Sequence, residues 1–65
     1  MPRYRKRDRV RAATEIIFSD RTFLRGHNGH VTHNQGAGVD TVRVKFRGDT
    51  GRNYRVVEED EIEPR

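Results

Sequence analysis

The chain has 65 residues, 31% of them hydrophobic and none Cys or Trp, so it forms one small domain with an expected stability of about 3–5 kcal/mol and no disulfide or Cys-ligated zinc. Fourteen Lys and Arg against ten Asp and Glu give a formal net charge of +4, which points to an acidic partner, either nucleic acid or an acidic protein. No apolar run approaches the roughly 20 residues that span a bilayer, and none of signal-peptide length follows the basic N-terminus. A cytoplasmic protein with no membrane partner is therefore expected.

Residues 1–7 carry Arg3, Arg5, Lys6 and Arg7 with no apolar periodicity, and are expected to form a flexible basic arm ahead of a domain over 8–65. From Arg9 to Phe18 the chain alternates. Val10, Ala12, Thr14, Ile16 and Phe18 fall on one face and Arg9, Arg11 and Glu15 on the other, which predicts a strand. Residues 19–28 read as a loop whose Phe23 and Leu24 tuck onto the core. Gly29–His33 is a short strand around Val31, followed by a turn at Asn34–Gly38.

Thr41–Arg47 has the clearest strand pattern, with Val42, Val44 and Phe46 pointing inward and Arg43, Lys45 and Arg47 outward. A hairpin turn at Gly48–Gly51 leads into Asn53–Val57, where Tyr54 and Val56 are expected inward and Arg55 outward. One helical turn over Glu58–Glu61 precedes Ile62, which restarts the apolar face before Pro64. The predicted core is Val10, Ile16, Val31, Val42, Val44, Phe46, Tyr54, Val56 and Ile62. Five short strands with closely spaced turns predict an all-β fold, a small closed barrel without exposed edges.

Asp8-Arg9-Val10-Arg11, the turn Gly26-His27-Asn28-Gly29-His30-Val31, Val42-Arg43-Val44-Lys45-Phe46 and the ending Tyr54-Arg55-Val56-Val57 with Glu61-Ile62-Glu63 together resemble an SH3-like barrel. The resemblance covers residues 8–63. It extends to KOW-type ribosomal and transcription-factor domains and to short bacterial and phage SH3-like proteins of unassigned role. It implies a five-stranded barrel; SH3 domains proper bind proline-rich peptides on an aromatic groove, and this chain has only five aromatic residues, some of which the core needs.

Chemistry-bearing residues are sparse. His27, His30 and His33 are spaced by three, so on a strand successive rings point to opposite faces, and no metal site is expected. Ser19 stands without a triad pattern. Asp20 with Asp40 or Asp49 has nothing to fix a separation, and the glycines lack the strand-to-helix setting of a phosphate loop. Arg47-Gly48-Asp49 is read as a turn. Neither an enzyme nor a cofactor is expected.

The outward stripe Arg43, Lys45 and Arg47 is the principal candidate. Alternate residues of a strand lie about 6.6–6.8 Å apart, close to the spacing of phosphates along a nucleic-acid strand. Arg55 and Arg52 are expected to widen this patch, and Arg3, Arg5, Lys6 and Arg7 to wrap further along the backbone. The alternatives are a protein-interaction adaptor or regulator of phage or plasmid type that uses its basic face or its acidic segment 58–63, and a structural component of a ribosome- or transcription-like assembly. A homo-oligomer is compatible with each.

Overall fold

The computed structural model describes residues 3–65. Seven strands follow in chain order: β1 (Arg9–Ala12), β2 (Ile16–Ile17), β3 (Thr22–Phe23), β4 (Asn28–Val31), β5 (Thr41–Phe46), β6 (Arg55–Glu58) and β7 (Ile62–Pro64). Five of them form one antiparallel sheet in the order β6-β5-β4-β1-β7, and β2 and β3 pair as a separate hairpin. The sheet curls into a half-barrel. The all-β expectation holds. The count of five strands does not, because the alternating run Arg9–Phe18 bends at residues 13–15 and the expected loop 19–28 contributes β3.

The concave face of the sheet and the hairpin enclose the core. Val10, Ala12, Val31, Val42, Val44, Phe46, Val57 and Ile62 come from the five-stranded sheet, and Ile16 and Phe23 close it from the hairpin. Phe23 stacks on Phe46 at 4.3 Å. Gly29 permits the close approach of β4 to β5, since a Cβ there would stand 2.8 Å from the Lys45 carbonyl oxygen. Leu24, expected to tuck inward, is 65% exposed, one position beyond buried Phe23 and so on the opposite face.

Two further corrections bear on function. First, β6 runs one residue out of the expected register: Arg55 and Val57 point inward, while Val56 is 51% exposed and Tyr54 only half-buried. Second, residues 3–7 are tied to the domain instead of standing clear of it; residues 1 and 2 of the expected arm lie outside the described residues. Tyr4 is 2% exposed within the core. Its backbone N–H and that of Arg3 donate to Gln35 Oε1, its carbonyl accepts from Gln35 N–H, and Lys6 N–H donates to Asn34 Oδ1. The buried Tyr4 ring and the side-chain amides of Gln35 and Asn34 thus hold a segment whose other residues are all basic.

A single 3-10 turn, Glu59–Glu61, precedes β7 as expected, closed by Glu61 Oε1 accepting from Glu58 N–H. No helix among the described residues is long and apolar enough to cross a membrane.

Candidate nucleic-acid interface

The outer face of the sheet is built by strand alternation. Val42, Val44 and Phe46 face the core, so Arg43, Lys45 and Arg47 face out, Lys45 being half-buried and the other two exposed. On β1 the inward Val10 and Ala12 leave Arg9 and Arg11 outward. The antiparallel register then lines up Arg9, His30 and Lys45 across three strands: Arg9 lies opposite His30, and His30 opposite Lys45. Arg65 N–H donates to the Arg9 carbonyl, which extends the row by one position. In the next row Arg47 N–H donates to the Asn28 carbonyl.

The consequence is a trough of about 630 Å³ along β4. Its floor is Asn28, Gly29 and His30, one wall is Arg7, Arg9 and Arg65, and the other is Lys45 and Arg47. No acidic side chain lines it. Lys45 Nζ donates to the Arg52 carbonyl at 2.7 Å and keeps two further N–H donors. Arg7 closes a turn in which Asp8 N–H donates to the Arg5 carbonyl, and it adopts φ +79°, a left-handed conformation unusual for a residue with a Cβ.

The remaining expected contacts are distributed otherwise. Arg43 continues the β5 line beyond the trough. Arg3, Arg5 and Lys6 are exposed but stand outside it. Arg52 lies 3.5 Å from Asp20. Arg55 is a correction: its side chain is 4% exposed and wholly occupied. Nε donates to Asp49 Oδ2 at 2.7 Å, and Nη1 and Nη2 donate to Asp20 Oδ1 and Oδ2 at 2.9 and 3.0 Å. Its guanidinium also lies 4.7 Å from the Phe18 ring centroid. The hydrogen bonds from Arg55 hold the Asp49 and Asp20 carboxyls below the usual carboxylate range, and the two carboxylates raise the Arg55 guanidinium further above its ordinary value.

Arg9, His30 and Arg65 belong to the trough although none is among the expected contacts. Arg9 alternates visibly with Val10, but its alignment with His30 and Lys45 depends on the pairing order of the strands. The three histidines are dispersed: His30 in the trough, His27 against Phe23 with Nε2 donating to the Arg47 carbonyl, and His33 against Tyr54.

The acidic segment 58–63 is engaged elsewhere. Glu58 pairs with Thr41 at the far end of β5, Glu59 accepts from Gln35 Nε2, and Glu63 holds Arg11 at 2.7 Å. None of the ion pairs among the described residues involves Arg7, Arg9, Arg43, Lys45, Arg47 or Arg65. Comparison with protein-family models, with curated proteins and with solved structures finds no match to this chain.

Proposed function

We propose that this chain is a small, non-enzymatic, cytoplasmic binding module of the SH3-like barrel type that contacts nucleic acid through the basic trough. The carrying observation is the trough itself: five basic side chains from three separated segments converge on one groove that, among the described residues, no acidic side chain lines and no ion pair engages. Arg is suited to this work because its planar fork pairs two-pronged with phosphate oxygens. With no helix longer than the three-residue turn Glu59–Glu61 among the described residues to enter a major groove, binding is electrostatic and weakly selective for sequence. The SH3-like reading is supported by the curled five-strand sheet, the hairpin between its first two strands and the 3-10 turn before the last strand.

About four phosphate contacts give a slope of log affinity against log salt of roughly −3, with affinity in the micromolar to sub-millimolar range. Arg9→Glu combined with Arg47→Glu abolishes binding while thermal unfolding stays nearly unchanged, because both side chains are exposed and unpaired. The reading fails if this double variant binds a labelled oligonucleotide as the parent does.

A second reading, a protein-interaction adaptor or a self-associating protein, draws on a different surface. Ile17 and Leu24, 72% and 65% exposed, project outward from the β2–β3 hairpin. Sedimentation of the parent and of Ile17→Ser with Leu24→Ser separates the two, since loss of a complex in that variant alone would favour the adaptor.

A further inference from the structure

Across β5 from the trough, the outer face changes chemistry. Half-buried Tyr54 lies just before β6, next to the β5 cations. The His33 ring stands 5.2 Å from it at 69°, and the Arg43 guanidinium lies 5.3 Å from its ring centroid. His33 and Arg43, together with the exposed apolar side chains Val39 and Val56, line an adjoining hollow of about 520 Å³ that contains no acidic side chain. This is a π-rich and apolar surface placed directly beside a line of cations.

We propose that the ligand of the trough is a single-stranded nucleic acid, its phosphates lying along β4 and a base turned across β5 onto the Arg43–Tyr54–His33 cluster. The proposal rests on the trough being a nucleic-acid site, and three features support it. The walls on β1 and β5 are two strand spacings apart, about 10 Å, which admits one phosphodiester chain flanked by cations on both sides. A duplex holds its two chains apart by its paired bases, so it would rest on the tips of one wall and leave the other without a phosphate. The step from β4 over β5 to Tyr54 is again about two strand spacings, within the reach of one nucleotide from phosphate to base. Bases of a single strand are free to stack on aromatic rings or guanidinium planes, whereas those of a duplex are already stacked within it.

The test is fluorescence anisotropy with a labelled mixed-sequence single strand, its duplex of equal length and inorganic polyphosphate, at one low salt concentration. The single strand is expected to bind about tenfold tighter than the duplex, and Tyr54→Ala to weaken single-strand binding about fivefold or more while leaving polyphosphate unchanged. Tyr54→Phe keeps the ring and is expected to bind as the parent, and exposed His33→Ala provides a second loss of π surface with little risk to folding. Equal affinity for single strand and duplex, or equal effects of Tyr54→Ala on oligonucleotide and polyphosphate, overturns the inference while electrostatic binding stands. If none of the three probes binds, the nucleic-acid reading falls with it.

Discussion

Arg7 couples stability to charge at a single position. Its φ of +79° is comfortable for Gly and costs a residue with a Cβ about 1 kcal/mol, and its side chain forms part of the trough wall. Strain of this kind is retained where the side chain contributes something else. Arg7→Gly should therefore leave stability unchanged or raise it by up to about 1 kcal/mol, while weakening oligonucleotide binding and making the salt slope shallower by about one contact. Urea unfolding and a salt titration on the same preparation check both halves. A variant that loses stability and keeps full affinity would show that Arg7 serves only the turn.

At the scale of elements, β6 shows why pattern and structure part company. Val56-Val57 offers an apolar residue to either face, so the alternation admits two registers, and a buried Arg is the less expected choice. The register is set by Asp49 and Asp20, which come from two different loops and meet Arg55 only after the chain has folded. Asp49 is 3% exposed, so Asp49→Ala leaves the Arg55 charge buried with one partner gone and costs about 3 kcal/mol or more, a large share of the stability of so small a domain. Asp49→Leu with Arg55→Met replaces the pair by apolar volume and should recover most of that loss in urea unfolding. If the double variant is as unstable as the single one, the pair holds the loop 47–54 by more than charge neutralisation.

The same contrast decides what the sequence could reveal. β5 was legible because its alternation is strict and its neighbours are turn residues, and with it came Arg43, Lys45 and Arg47. The bend that ends β1 at Ala12 was hidden because Thr14 and Ile16 continue the period of two through it. The anchoring of Tyr4 was hidden because its partners, Gln35 and Ile62, are 31 and 58 residues away. The trough was legible by halves: each wall alternates within its own strand, but their convergence depends on β4 lying between β1 and β5.

For the molecule as a whole, folding separates charge that the chain already segregates along its length. The acids of 58–63 gather at the β6–β7 side and on Arg11, and the trough is left cationic. Titration follows from the Arg55 ion-pair cluster and from Tyr4. Hydrogen bonds from Arg55 lower Asp49 and Asp20, so their contribution is complete above the ordinary carboxylate value of about 4 and is lost as pH falls below it. Burial raises the Tyr4 phenol, so its contribution is complete below its ordinary value of about 10 and is lost as pH rises through and beyond it. Melting temperature should thus be nearly level between about pH 5 and 9 and fall on both sides, and Tyr4→Phe should flatten the alkaline limb.

The location of the ligand is tested most directly by following backbone amide resonances while a short single-stranded oligonucleotide is added at low salt. Shifts are predicted to concentrate on Arg7–Arg9, Asn28–His30 and Lys45–Gly48, the segments that line the trough, and to reverse when salt is raised. Shifts concentrated on Ile17–Leu24 or on the acidic segment 58–63, with the trough amides unmoved, would contradict a nucleic-acid site on this face.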